Sequence, residues 1–234
     1  MTKAVFFDAG HTLLYAHPDL GTVYAEATAG FGVRLDPARF AETFVPVFQE
    51  TTRIYANTST ASDAQDVAMW RDITRRIYDR LPPLSSIPFD RWFETLYHRF
   101  GSPEVWRFYD DVVSSLRDFR SRGLKIGVVS NWDTRLKTIS DGLGLTPLVD
   151  FIVISAEVGV RKPDPGIFLE ALDRAGVRAD EALHVGDLLE EDVEGARRAG
   201  VRAVLIDRKR RITAGAFPAD VRVVTSLAEL EAHL

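Results

Sequence analysis

The sequence lacks cysteine altogether, and none of its hydrophobic runs is long. The absence of thiols from all 234 residues excludes disulfide bonds and cysteine chemistry from fold and function. No apolar stretch approaches the ~20 residues that a membrane helix needs. The first residues already read as an apolar strand rather than as a basic and then apolar leader. The sequence therefore predicts a cytoplasmic protein that does not bind a membrane.

Basic residues are fewer than acidic residues. The 29 Lys and Arg against 34 Asp and Glu give a net charge of −5, which argues against a general nucleic-acid binder. The only basic block, residues 208–211, is interpreted as a solvated loop after a strand. The remaining composition is typical of a globular protein of one or two domains.

Five short apolar runs, rich in Val, Ile, Leu and Phe, are separated by amphipathic segments. The runs are residues 4–7, 124–129, 151–154, 182–185 and 203–206. They lack polar alternation, which is typical of strands covered on both faces. The predicted helices between them are residues 112–122, 134–143, 165–175 and 191–199. This alternation predicts an α/β fold, a doubly wound parallel sheet with right-handed crossovers.

Residues 16–103 break this pattern, because no Val- or Ile-rich strand occurs there. The stretch contains four helix candidates, residues 21–31, 37–55, 64–81 and 89–100. It is too long and too amphipathic for a loop. We therefore predict a helical cap domain at 16–103, inserted into a core domain made of residues 1–15 and 104–234. His17-Pro18 and residues 101–103 would then be hinges.

Polar residues of chemical interest follow the predicted strands. They are Asp8, Ser130, Asn131, Lys162, Asp187 and Asp192. Because the carboxyl ends of parallel strands form the ligand crevice of an open sheet, we expect these groups to converge there. Carboxylates, a lysine, a hydroxyl and backbone amides in one place can hold Mg²⁺ and a phosphate.

In this order, the clusters resemble those of the haloacid dehalogenase (HAD) superfamily of aspartate-nucleophile hydrolases. The resemblance covers essentially the whole chain, including a helical insertion after the first strand, and implies a Rossmann-like core. It implies that Asp8 attacks phosphorus and carries the phosphoryl group as an acyl phosphate. It also implies that Ser130 and Asn131 contact the phosphate and that Lys162 supplies a positive charge to the phosphate and the aspartates.

The same resemblance implies a Mg²⁺ site. The expected ligands are Asp8, the backbone carbonyl of Gly10 and Asp187, with water completing the coordination. Asp192 lies in the first turn of the following helix. It either ligates the metal, directly or through a bound water, or stabilises the helix N-terminus.

Several neighbours of these residues have ordinary interpretations. Glu191 is expected to face solvent in the first turn of its helix, and Arg161 to lie at the surface. His184 falls inside a strand and is interpreted as structural. Trp132 either lines the substrate pocket or packs in the interior.

One position departs from the family pattern. HAD phosphatases usually carry a second Asp two residues after the nucleophile, which protonates the leaving oxygen and then activates water. Here that position is Gly10, followed by His11. Losing a positioned general acid/base typically costs ~10²–10⁴-fold, but phosphoryl transfer is catalysed mainly by positioning and electrostatics. Acyl and aryl phosphates, whose leaving groups depart readily, would suffer least.

Three functions remain open. The first is a Mg²⁺-dependent phosphatase of a small phosphorylated metabolite, with the acid/base supplied by His11, a cap residue or water. The second is a 2-haloacid dehalogenase, in which Asp8 forms an ester without metal; the Tyr-Gly pair shared by those enzymes is absent here. The third is a binding protein that uses the site for phosphate or metal. The intact Asp187 and Asp192 favour the phosphatase.

Overall fold

A six-stranded parallel sheet organises the chain. The computed structural model describes residues 1–55, 60–210, 218 and 220–234. The strands are β1 (Ala4–Phe7), β2 (Leu14–Ala16), β3 (Trp106–Phe108), β4 (Lys125–Ser130), β5 (Phe151–Ile154), β6 (Ala182–Gly186), β7 (Arg202–Ile206) and β8 (Arg222–Val224). The sheet has the order β5-β4-β1-β6-β7-β8, and β2 pairs with β3 in a separate antiparallel pair. The predicted doubly wound parallel sheet is confirmed.

Some helices cover the two faces of this sheet, and the others pack together as a separate group. They are α1 (Leu20–Ala29), α2 (Pro37–Tyr55), α3 (Asp63–Arg80), α4 (Phe89–Phe100), α5 (Val112–Ser121), α6 (Arg135–Leu143), α7 (Ser155–Val158), α8 (Pro165–Ala175) and α9 (Gly195–Arg198). A π-helical segment, Leu189–Glu194, precedes α9. Across the described part of the chain, no helix is both long and apolar enough to cross a membrane.

The central strand β1 shows why both faces are covered. Successive side chains of a strand point to opposite faces, and all four residues of β1 are apolar and buried. Val5 and Phe7 join the core that contains Phe119 of α5, while Phe6 joins the core that contains Phe168 of α8. Because β1 lies between β4 and β6, the chain reverses its winding direction there, which places the crevice of the sheet at the end of β1.

Helices α1–α4, which we call the helical insert (residues 20–100), pack around an aromatic core. Trp92 is fully buried, and its indole nitrogen donates a hydrogen bond to the Thr28 hydroxyl at 3.0 Å. Tyr24 and Phe40 lie in the same cluster. The predicted helices at 37–55 and 89–100 match the observed bounds. The division into core and cap domains stays a prediction.

Polar contacts hold the helical insert against the sheet. Arg161 forms an ion pair with Asp66 of α3 at 2.7 Å, with side-chain exposures of 12% and 5%. Burial raises the pKa of Asp66, an effect that Arg161 opposes. The carboxylate of Asp63 accepts hydrogen bonds from the backbone amide and hydroxyl of Thr134, both at 2.9 Å. The prediction that Arg161 lies at the surface is therefore wrong, because its charge is needed to neutralise a buried acid of the insert.

The basic block after β7 also differs from its prediction. Arg208 donates two hydrogen bonds to the Thr12 carbonyl, at 3.0 and 2.8 Å, and forms an ion pair with Asp111 at 2.7 Å. Its side chain is therefore buried and attached to the loop after β1 rather than solvated. Lys209 and Arg210 are exposed, as expected, and Arg211 lies outside the described residues.

Candidate active site

Asp8 lies directly after β1, at the crevice that the sheet topology defines. Its backbone amide donates to the carbonyl of Val185 in β6 at 2.9 Å. Its carboxylate oxygen Oδ1 accepts hydrogen bonds from the Ser130 hydroxyl at 3.0 Å and from Lys162 Nζ at 2.7 Å. Burial raises the pKa of Asp8, while the Lys162 ammonium opposes that rise. Ser130 and Lys162, each more than a hundred positions from Asp8 in the chain, thus meet at one of its oxygen atoms, and the expected convergence of these three side chains is observed.

Lys162 is a buried cation held between two carboxylates. Its Nζ lies 2.7 Å from Asp8 Oδ1 and 2.6 Å from Asp192 Oδ1, and its side chain is 2% exposed. Burial alone would lower the pKa of Lys162, but the Asp192 and Asp8 charges raise it above its ordinary value. Lys162 is therefore charged throughout the physiological pH range.

The side chain of Asn131 fixes the loop that carries this lysine. Its Oδ1 accepts a hydrogen bond from the Lys162 backbone amide at 2.7 Å, and its Nδ2 donates to the Lys162 carbonyl at 2.9 Å. This two-point contact orients the lysine backbone as a β-ladder pair would. The Asn131 side chain therefore already has partners within the protein, and a phosphate contact by Asn131 stays a prediction.

Asp192 is buried beneath the end of β6. Its Oδ1 binds Lys162 Nζ and His184 Nε2, the latter at 2.9 Å, and its Oδ2 accepts from the Leu188 amide at 3.0 Å. Burial would raise the pKa of Asp192, but Lys162 and His184 hold it below its ordinary range. Both oxygens have partners within the protein, and the Leu188 contact caps the start of the π-helical segment. His184 is fully buried, in keeping with a structural histidine, and its ring also packs edge-on against Phe168.

Gly186 leaves room for the Asp192 carboxylate. A Cβ atom built on Gly186 would overlap all three carboxyl atoms of Asp192. We expect Gly186→Ala to displace Asp192 from Lys162 and to destabilise the fold by about 1–3 kcal/mol, the usual cost of overpacking. Gly30→Ala is the matched control, since its added Cβ would meet only the Ala27 carbonyl at 3.4 Å. Urea unfolding of both variants measures the difference, and equal stabilities would contradict the contact.

Two further acids crowd the site. Burial, followed by the charges of Asp8 and Asp192, raises the pKa of Asp187 to about 8. Burial also raises the pKa of Glu191 to about 7, against the opposing charge of Lys162. Glu191 accepts a hydrogen bond from Asn131 Nδ2 at 2.9 Å, so the prediction that it faces solvent is wrong.

The site therefore contains more acidic groups than basic ones. Four carboxyl groups lie near the single ammonium group of Lys162. These carboxyl groups belong to Asp8, Asp187, Glu191 and Asp192. An excess of buried carboxyl groups is costly unless they are protonated or bind a cation. Within the described residues no three acidic or histidine side chains already converge as a ready metal cage. The surplus of carboxyl groups, and not a preformed cage, is the feature that would suit a hard cation such as Mg²⁺.

Gly10 and His11 shape the loop after Asp8. A Cβ on Gly10 would lie 3.4 Å from Cζ3 of Trp132, so the indole occupies the space beside this glycine. His11 is exposed and has a φ of 56°, in the left-handed region that disfavours side chains with a Cβ. The carbonyl of Thr12 is the acceptor for Arg208. The structure thus places an indole, and not an acid, next to position 10.

A cavity of about 430 Å³ lies elsewhere, at the amino ends of β7 and β8. Its lining includes Arg202, Arg222 and His233 and none of the predicted site residues. The chemistry of the site is therefore built on the opposite, carboxyl edge of the sheet, and this cavity takes no part in it.

Comparison with known proteins gives the family. A model of haloacid dehalogenase-like hydrolases matches residues 2–200. The chain belongs to the haloacid dehalogenase-like hydrolase family. A HAD-like relative from Danio rerio, haloacid dehalogenase-like hydrolase domain-containing protein 3, is 33% identical over 230 residues, which cover 98% of this chain and 95% of that protein.

Two further proteins bear on the reaction class and the fold. A phosphoserine phosphatase from Thermus thermophilus is 40% identical over 125 residues, which cover 53% of this chain and 50% of that protein. The putative HAD-hydrolase YfnB from Bacillus subtilis, solved bound to magnesium, superposes with a TM-score of 0.76 at 17% identity, covering 100% and 98% of the two chains. At that identity the superposition shows the fold alone, and it confirms the HAD-like α/β fold.

Proposed function

We propose that the protein is a Mg²⁺-dependent phosphatase of a small phosphorylated metabolite and that Asp8 is its nucleophile. The observation that carries this proposal is the geometry at Asp8 Oδ1, which Ser130 and Lys162 hold at 3.0 and 2.7 Å. A carboxylate fixed at the crevice by a hydroxyl and an ammonium is positioned for attack on phosphorus. The phosphatase name of the Thermus thermophilus relative supports the same reaction class.

The chain's own residues divide the work of this reaction. Lys162 offsets the charge of the phosphate and of Asp8, and Ser130 donates to the oxygen that Lys162 also holds. Asp192 orients the lysine through its 2.6 Å contact, and His184 holds Asp192 in place. Because phosphoryl transfer depends on positioning and charge, these fixed contacts are the main catalytic device of the protein.

Mg²⁺ would be held by Asp8, the carbonyl of Gly10 and Asp187. Asp192 would contact the metal through water, since both its oxygens already have protein partners. An ion held by these residues would neutralise charge that develops on the phosphoryl oxygens. The surplus of acids around a single lysine, with the pKa of Asp187 at about 8, is the feature that fits a cation here.

The same acids predict how pH affects the metal-free protein. Asp187 has a pKa of about 8 when folded against 3.8 ordinarily, so the folded protein keeps a proton that the unfolded chain loses. Stability in EDTA should therefore fall as pH rises from about 4 to about 8. Mg²⁺ competes with that proton, so its stabilising effect should grow over the same range.

Thermal unfolding across this pH window, in EDTA and in Mg²⁺, checks the prediction. Asp187→Asn is the internal comparison, because it should flatten the fall in Tm and weaken the response to Mg²⁺. A wild-type Tm in EDTA that stays level or rises with pH would contradict it.

The function itself is tested by phosphate release. A panel of small phosphate esters and acyl phosphates is incubated with the protein in Mg²⁺ and in EDTA, alongside Asp8→Asn. Turnover that requires both Mg²⁺ and Asp8 is the expected result. A parallel assay follows halide release from 2-haloacids; halide release without metal, together with no phosphate release, would replace the phosphatase by a dehalogenase. Silence in both assays from a folded protein would leave a binding role.

A further inference from the structure

An aromatic wall runs from the loop after β4, beside Gly10, to the end of the helical insert. We give this name to Trp132, Trp106 and Phe100, all of which are partly exposed. The indoles of Trp132 and Trp106 meet edge to face with ring centres 5.1 Å apart, and Trp106 meets Phe100 in the same way at 6.2 Å. Trp106 Nε1 donates to the Phe100 carbonyl at 3.0 Å. The wall therefore links the sheet edge to the insert by ring contacts.

Trp132 is fixed in position by its own backbone. Its amide donates to the Ser155 hydroxyl at 3.1 Å, and its carbonyl accepts from that hydroxyl at 3.2 Å and from the Ala156 amide at 3.3 Å. Ser155 is fully buried. With both backbone groups held by α7, the indole has a defined place beside Gly10, where its Cζ3 lies 3.4 Å from the position of an added Cβ.

Two features thus coincide at one point of the site. Gly10 has no side chain that could protonate a leaving oxygen. The space beside Gly10 is bounded by Cζ3 of the Trp132 indole ring. An alkoxide leaves poorly without a proton, whereas an aryloxide, the anion of an acidic phenol, leaves without one. Aromatic rings also bind one another favourably at centre distances of about 4.5–7 Å.

We propose that the substrates are aryl or heteroaryl phosphates, whose ring lies against Trp132. This inference rests on the proposed phosphatase function and names its substrate class. In the first step an oxygen of Asp8 bonds to phosphorus, and the bond from phosphorus to the aryl oxygen breaks with its electron pair leaving on the aryloxide. In the second step water attacks phosphorus, which yields inorganic phosphate and restores the Asp8 carboxylate. The proton that water gives up is taken by the aryloxide or by solvent.

The first test compares leaving groups on the wild-type protein. Substituted phenyl phosphates should be turned over faster as the pKa of the released phenol falls, and an alkyl ester such as glycerol phosphate should be the slowest substrate. Phenylphosphonate, which cannot be hydrolysed, should inhibit about 3- to 10-fold more tightly than methylphosphonate, the size of one aromatic contact. Alkyl esters that react faster than phenyl esters, or equal inhibition by the two phosphonates, would overturn the proposal.

The second test removes the ring. Trp132→Ala should lower the ratio of kcat/KM for phenyl phosphate to that for acetyl phosphate by about 3- to 10-fold, mainly through KM, and Trp132→Phe should restore part of it. Trp70→Phe, in the helical insert beside Phe48, is the matched control and should leave the ratio unchanged. An unchanged ratio in Trp132→Ala would overturn the proposal.

A third variant supplies the missing acid. The backbone of Gly10 lies outside the left-handed region, so an L side chain is allowed there. Gly10→Asp should gain most on alkyl phosphates and so flatten the dependence on leaving-group pKa. Failure of the phosphatase function itself would look different, because acetyl phosphate would then also remain intact in Mg²⁺.

Discussion

Replacing Asp8 with asparagine should lower phosphate release by ~10⁴-fold or more, the scale on which loss of a nucleophile is felt. An amide has nearly the same shape as the carboxylate and still accepts from Ser130 and Lys162, but it does not form the acyl phosphate. Steady-state release from the best substrate of the panel measures the effect. Asp173→Asn, an exposed position on α8, is the matched control and should retain wild-type turnover.

Isotope labelling shows which atom Asp8 attacks. In a single turnover in H₂¹⁸O, water attacks phosphorus if the intermediate is an acyl phosphate, so ¹⁸O appears in phosphate and not in Asp8. If Asp8 had attacked carbon to form an ester, water would attack the Asp8 carbonyl and the label would enter the peptide. Activity of Asp8→Asn within tenfold of wild type would rule out Asp8 as the nucleophile.

Replacing Lys162 with methionine should cost about 3–5 kcal/mol of stability near pH 7, because breaking a buried pair leaves uncompensated charge. The lysine lies 2.7 Å from Asp8 and 2.6 Å from Asp192, at 2% exposure. Without it, both carboxylates would be buried with no adjacent cation. Urea unfolding in EDTA measures the loss.

The direction in which the stability loss of Lys162→Met changes with pH gives a second check. In the wild type the pKa of Asp192 lies below its ordinary value, so this group stabilises the fold above the unfolded pKa and loses that contribution as pH falls. In Lys162→Met the carboxylates take up protons more readily, so the deficit against wild type should shrink as pH falls. Lys137→Met, which removes a lysine with 58% of its side chain exposed, should change stability by no more than about 0.5 kcal/mol. Equal losses for the two lysines would contradict the buried pair.

The central part of the fold follows from local pattern. β1 and β5 appear at their predicted bounds because buried parallel strands need continuous apolar runs. β8 was not predicted: it has three residues, begins with an exposed arginine and lies at the sheet edge, so it carries no such run. The β2–β3 pair was missed for another reason. Its strands are some ninety positions apart and three residues long, so their pairing depends on the fold and not on either segment.

The candidate site, like the fold, could be predicted from the sequence only in part. Asp8, Ser130 and Lys162, whose side chains meet in the structure, could be grouped from the sequence because they follow or precede recognisable elements in a familiar order. Glu191 and Arg161 adjoin motif residues, but their burial depends on partners elsewhere in the chain, Asn131 and Asp66. A charged side chain reads as exposed in sequence unless its partner is known. The only sequence feature that could have indicated the burial of these two residues is their position next to a predicted site residue, because neighbouring side chains often share the same surroundings.

Arg161 and Lys162 are neighbours in the chain, yet Arg161 contacts the helical insert and Lys162 contacts the end of the sheet. Arg161 is paired with Asp66 of the helical insert, and Lys162 with Asp8 at the end of β1. A single peptide bond therefore joins the residue that pairs with the insert to the lysine that pairs with Asp8. If a ligand that displaced Lys162 also weakened the Arg161–Asp66 pair, the effect would be reciprocal, so that a change at Asp66 would alter affinity for that ligand by the same factor.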